Sequence, residues 1–367
     1  MARLARGAVG LLAHRQLPLL AAGLAALLTL PAWWQGWQTD DYIHQFILHG
    51  APGVPELSTA PPQLFAPLRG DPAQLTPLIE RGALPWWTDP HLRIAFARPL
   101  AGISHWLDYV LWPGAAVPAH GQSVAWYLLA AWAAARLYRR VGGAGWVAGL
   151  AAVLYAVNDA HGVAVGWIAN RNTVIAAALG LLSLLAHVRW RQERWRPGAA
   201  LSPLLLLAAL LASESAVGVG AYVLAYALVL ERGPLRRRLL PVLPCLLVGV
   251  AWAAAYKLTG HGVAHSLLYT DPLREPAGFI AAFLTHAPLL LASQLALPPA
   301  DLHTIAAQPV RVVLIAWAVL ILALLAAWAR PVWRARPLAR FWALGMLLAV
   351  VPVAPPFPSD RLLLLVG

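Results

Sequence analysis

Residues 15–41 read RQLPLLAAGLAALLTLPAWWQGWQTDD. From Leu17 to Trp37 no side chain is charged, and a hydrocarbon core of ~30 Å needs about 20 apolar residues at ~1.5 Å rise each. The stretch is therefore read as a first membrane span. Arg3, Arg6 and Arg15 precede it, which sets the amino terminus on the cytoplasmic side. A cleaved signal peptide fits less well. The apolar run is long, no small-residue cleavage site follows, and Trp33, Trp34 and Trp37 have the character of an interfacial belt.

The rest of the chain repeats the pattern. With 60% apolar and 11% charged residues over 367 positions, neither a string of soluble domains nor a disordered chain fits. The single Cys245 excludes a disulfide scaffold and leaves the redox compartment unread. Further apolar runs lie at about 121–137, 144–157, 173–188, 201–212, 216–230, 239–256, 312–328 and 341–353. The expected fold class is all-α: a polytopic transmembrane helix bundle of about nine to ten spans, forming one domain over residues 1–367.

Arginine placement orients the spans. Arg136, Arg139 and Arg140; Arg189 to Arg196; Arg232 to Arg238; and Arg330 to Arg340 end alternate runs, so all should face the cytoplasm. On this layout 18 arginines and two acids lie inside, a net +16, and nine cations and 13 acids lie outside, a net −4, which together make the formal +12. The basic residues thus serve topology, and nucleic acid is not an expected partner. The apolar segment 277–297 has no basic cluster at either end. Counting it as a crossing would move the Arg330 to Arg340 cluster outside, so it is read as re-entrant or interfacial within a second outer segment, 257–311.

The first outer segment, 38–120, is too long for a simple connection. Short surface helices are expected at Asp41 to His49 and at Arg98 to Trp112, the latter opened by Pro99, with 52–90 mostly irregular. Chemistry is sought among the ionisable residues on this side. Asp40 and Asp41 are adjacent carboxylates that raise each other's proton affinity, which suits one to general-base work or the pair to a divalent cation; an acidic helix cap is the other reading. His105 and Asp108 fall one turn apart on a helix and share a face, which serves a hydroxyl-rich ligand, a metal or a structural hydrogen bond. Asn158-Asp159-Ala160-His161 precedes Trp167-Ile168-Ala169-Asn170-Arg171-Asn172. There Arg171 opens an apolar run and needs an anion, a partner from another span, or a route to the headgroups. Glu214 either caps the following helix region with Ser213 or pairs with Arg171. Arg361 in Pro358-Ser359-Asp360-Arg361 is a second candidate for an anion. Trp86 and Trp87 suit a sugar face or a membrane anchor. His261 and His265 sit among glycines, which argues against a helical metal pair. No HExxH, CxxC, Walker or Rossmann pattern occurs.

Taken together these segments resemble the C-type polytopic glycosyltransferases, most nearly the protein O-mannosyltransferase-like group. Asp40-Asp41 resembles the group's acidic motif after the first span; Arg98-Pro99-Leu100 and Leu107-Asp108-Tyr109 resemble elements later in its first loop. Trp167 to Asn172 is similar to its Trp-Ile-x-x-Arg segment, Ser213-Glu214-Ser215 to a Ser-Lys-Glu element, and Asp360-Arg361-Leu362 to an Arg-Leu/Tyr element. The chain departs from the group in lacking the lysine beside Glu214 and in carrying Asp159-Ala160-His161-Gly162 where His-Pro and an acid are common.

The resemblance implies a glycosyltransferase moving a sugar from a polyprenyl-phosphate-linked donor to a hydroxyl acceptor at the outer face of a bacterial plasma membrane, with inversion. Asp40 or Asp41 would be the base. Arg98, His105, Asp108, His161, Arg171, Glu214 and Arg361 would bind substrate. It also implies further spans beyond Gly367. A transporter or flippase for a lipid-linked or anionic solute, with Arg171 and Glu214 along its path, and a non-catalytic assembly subunit are the rival expectations.

Overall fold

The computed structural model describes residues 2–266 and 268–367, with side chains from residue 7 onward; the Arg3 and Arg6 side chains expected to flank the first span lie outside that description. A short helix α1 (Ala2–Leu12) leads into α2 (Leu17–Thr29), which a 3-10 turn extends to Trp34. The first long segment carries α3 (Asp40–Leu48), β1 (Leu68–Arg69), α4 (Pro72–Glu80), β2 (Arg93–Ala95) and α5 (Pro99–Leu111). The bundle continues with α6 (Ala116–Gly142), α7 (Trp146–Ala156), α8 (His161–Gly166), α9 (Arg171–Glu193), α10 (Gly198–Leu210) and α11 (Val217–Val229). Then come α12 (Leu235–Leu239), α13 (Leu243–Leu258), β3 (Gly262–Ala264), α14 (Pro276–Leu295), α15 (Leu302–Ile305), α16 (Gln308–Ala335) and α17 (Pro337–Ala349).

Proline opens many of these helices, at Pro18, Pro72, Pro99, Pro276, Pro309 and Pro337, because the first turn needs neither its missing N–H nor a freer φ. Among the described residues, five helical stretches are long and apolar enough to cross a membrane: Leu17–Trp34, Ile168–Glu193, Leu235–Leu258, Pro276–Leu295 and Gln308–Ala335. The stretch built on α9 is the most enclosed, and its neighbours α6 and α10 complete a core that includes Tyr127, Ile175, Leu206 and Leu210. By contrast α13 and α16 expose Leu246, Leu247, Val312, Val313, Leu320 and Leu324. Helices apolar on every side need apolar surroundings.

Contacts sort the helix ends into two groups. Arg139 donates to the His14 carbonyl at 2.7 Å, Arg140 pairs with Glu193, Arg191 pairs with Glu231 at 2.5 Å, and Gly142 lies against Leu338. The arginine clusters therefore gather at one end of the bundle. At the other end the first long segment is tied down by Leu100 N donating to Leu211 O at 3.0 Å, and by antiparallel β2·β3 pairing of Arg93 with Ala264 and Ala95 with Gly262.

This geometry bears on 277–297. α14 follows β3 at the arginine-poor end, and at its far end Ser293 donates to Asp360 Oδ1 at 2.6 Å while Ala300 N donates to the same oxygen at 2.8 Å. Asp360 adjoins Arg361, which packs on Trp167 at that same end. α14 is long and apolar enough to cross a membrane, and these bonds tie its last turns to the segment that carries Arg361.

Two details add to the expected picture. Segment 52–90 is mostly irregular, as expected, but it also holds α4, capped by Asp71 Oδ1 accepting from Ala73 N at 2.9 Å, and a short strand. A three-stranded sheet, β1-β2-β3, also joins the two long segments, which an all-α expectation left out.

Candidate functional site

Asp40 and Asp41 open α3 but face different surroundings. Asp41 is fully buried; its Oδ2 accepts from Gln38 N at 2.8 Å and its Oδ1 from Ala169 N at 2.6 Å. It is a clasp between the start of α3 and the turn before α9. Burial pushes its carboxyl up to about 6, against the pull of both backbone N–H groups and Arg171. Asp40 is exposed and accepts no hydrogen bond among the described residues. Crowding by the protein raises its proton affinity and the charge of Arg361 opposes that rise. With both oxygens of Asp41 committed to the backbone, the two carboxylates do not fit a shared divalent cation, and no group of three or more potential metal ligands occurs among the described residues.

Arg361 is held by ring faces rather than by an acid. Its guanidinium lies 5.1 Å from the Trp167 ring and 5.0 Å from the Phe357 ring, with no salt-bridge partner among the described residues. Phe357 leads to Tyr269 at 6.4 Å between ring centroids and Tyr269 to Phe96 at 5.5 Å. Phe96 in turn stacks on Arg98 at 4.3 Å. Arg98 Nε donates to Glu214 Oε2 at 2.7 Å, and Arg98 also covers Phe65 at 5.3 Å. An aromatic rim therefore joins two guanidinium groups, contributed by residues 65–98, 167, 269 and 357–361, and the Asp40 carboxylate feels the charge of one of them, Arg361.

Phe96, Tyr269 and Phe357 were not singled out from sequence. The available signal was an aromatic residue two places before Arg98 and another four places before Arg361.

Arg171 is no part of this rim. It is completely buried, paired with Asp108 Oδ2 at 2.5 Å, and donates to Ser123 Oγ at 2.9 Å, Gln122 Oε1 at 2.8 Å and the Ala119 carbonyl at 2.8 Å. Gln122 Nε2 closes the ring by donating to Asp108 Oδ1 at 3.1 Å. Every guanidinium nitrogen is bonded, so the expectation that Arg171 or Asp108 meets a ligand directly is replaced by a structural one: they pin α5 to α6 and α9. Glu214 pairs with Arg98, not with Arg171.

His105 makes no bond to Asp108. It is buried beside His44, with ring centroids 5.2 Å apart, and Phe65 at 5.7 Å. Burial and neighbouring arginines keep both imidazoles neutral, that of His44 lowered to about 4. His161 is buried too, its Nδ1 3.0 Å from Tyr127 Oη, and packs in the bundle rather than lining the rim. Trp86 and Trp87 are 82% and 70% exposed and nearly perpendicular, so they offer no common flat face to a sugar. His265 is bound to Asp89 at 2.9 Å and not to His261.

No protein-family model, curated protein or solved structure matches this chain.

Proposed function

We propose that the chain is a polytopic membrane glycosyltransferase that takes a sugar from a polyprenyl-phosphate-linked donor and delivers it to a hydroxyl acceptor at the arginine-poor face. One observation carries the reading: Asp40, a carboxylate with no hydrogen-bond donor among the described residues, lies within the electrostatic reach of Arg361, a guanidinium with no acid partner among them, on an aromatic rim at the end of an apolar bundle. In the topology that goes with it, α2, α6, α7, α9, α10, α11, α12–α13, α16 and α17 cross the membrane, α14 does not, and the arginine-rich end is cytoplasmic.

Asp40 takes the proton of the acceptor hydroxyl as its oxygen bonds to the anomeric carbon. The carbon–oxygen bond to phosphate breaks, and its electron pair leaves with the phosphate. Arg361 meets that developing charge, and Arg98, steadied by Glu214, adds a second positive field. A single displacement inverts the anomeric centre. Phe96, Tyr269 and Phe357 shield the reacting atoms from water. The transporter alternative is less supported, because it needs Arg171 and Glu214 free along a path and both are bonded.

The test uses membranes containing the chain and a labelled polyprenyl-phosphate sugar. Transfer should fall at least ~100-fold in Asp40→Asn, the range for loss of a general base, and fall comparably in Arg361→Gln. Unchanged transfer in both variants defeats the proposal.

A further inference from the structure

Among the described residues, two carboxylates lie at the arginine-rich end, and both are already engaged: Glu193 with Arg140 and Arg189, Glu231 with Arg191. Arg139 and Arg238 are bonded too, the first to the His14 carbonyl and the second to the Ala227 carbonyl at 2.7 Å. Arg232, Arg236, Arg237, Arg330, Arg334 and Arg336 are exposed and have no acceptor among the described residues. The charge at this end is not balanced from within the protein.

The densest part of this surplus is the turn from α11 through α12. Arg238 Nε on the α11 carbonyls fixes α12 against α11, leaving Arg232, Arg236 and Arg237 free. Beside them Leu235, Leu240 and Leu243 are 54%, 50% and 43% exposed. Free guanidinium groups next to unburied leucines match the boundary between phosphate headgroups and acyl chains. On α16 the same juxtaposition recurs, with Trp328 79% exposed near Arg330 and Val332. A nucleic acid would satisfy the charge but leave the leucines in water.

We propose that residues 232–243 form a docking surface for acidic phospholipid headgroups, with Arg232, Arg236 and Arg237 meeting the phosphates and Leu235, Leu240 and Leu243 entering the acyl region. The surface needs only that α13 lies in a bilayer, and it stands whether or not the chain transfers sugars.

The test compares the full chain with a triple variant, Arg232→Gln, Arg236→Gln and Arg237→Gln, none of which bonds to the fold. Lipid retained by each protein is measured by native mass spectrometry from mixed phosphatidylglycerol and phosphatidylcholine micelles. The wild type should prefer phosphatidylglycerol. With about fivefold per basic residue near an acidic surface, the triple variant should lose on the order of a hundredfold of that preference at low salt. Both proteins should bind phosphatidylcholine alike, which also reports an intact fold. Equal preference in the two proteins overturns the proposal. So does full competition by millimolar inorganic phosphate, which would mark a site for a free anion instead of a lipid.

Discussion

At the level of single side chains, the two adjacent acids illustrate how position divides labour between like groups. Asp41 is ionised only at a cost, since burial lifts its carboxyl to about 6. The folded chain thus binds a proton there more tightly than an unfolded chain, whose carboxyl titrates near 3.8. Stability from this group is fully present below the unfolded value and is lost as pH rises through about 6. In Asp41→Asn that component disappears. The melting temperature of the wild type should therefore gain on that of the variant as pH is lowered from 7 to about 5. Equal pH slopes for the two proteins would remove the clasp from this account.

The pair Arg171–Asp108 poses a different question, because both members are out of water. Removing one partner strands the other charge, which typically costs about 3–5 kcal/mol. Asp108→Asn should lower the unfolding free energy by that order. The double variant Arg171→Met, Asp108→Leu should recover much of the loss, since apolar replacements of a buried pair are often tolerated. Chemical denaturation in one detergent measures both. A double variant as weak as the single one would point to a role beyond charge compensation.

Among elements, the helices were readable because an apolar run between arginine clusters states both its length and its direction. The re-entrant reading of 277–297 rests on the same logic, since no basic cluster follows it. Pairings between elements were less accessible. Arg98 meets Glu214 across 116 positions and Arg171 meets Asp108 across 63, and no periodicity within either segment encodes the partner. A sheet built from strands of two and three residues leaves too short an alternation to recognise. The close seat of α5 depends on Gly102, where a Cβ would overlap the Pro61 carbonyl; the glycine is visible in sequence, its reason is not. At the candidate site, Asp40 and Arg361 were legible as charges without local partners, whereas the rings that hold Arg361, Trp167 and Phe357, come from two separate segments.

For the whole molecule the decisive relation is that most acids and the arginine clusters occupy opposite ends, with apolar helices between. That relation stands or falls with the two ends of α14. The one native thiol, Cys245, is buried, so single cysteines introduced on a Cys245→Ser background report sidedness to a membrane-impermeant maleimide. Leu273→Cys before α14 and Leu297→Cys after it, both exposed positions, should be labelled from the same side of sealed vesicles as Leu258→Cys. Arg237→Cys should be labelled only from the other. If the positions flanking α14 are labelled from opposite sides, α14 is a crossing. The contacts joining Asp360 to Ser293 and Ala300 could then not coexist with β3 pairing on β2 at one membrane face, and the shared location of Asp40 and Arg361 would be lost with them.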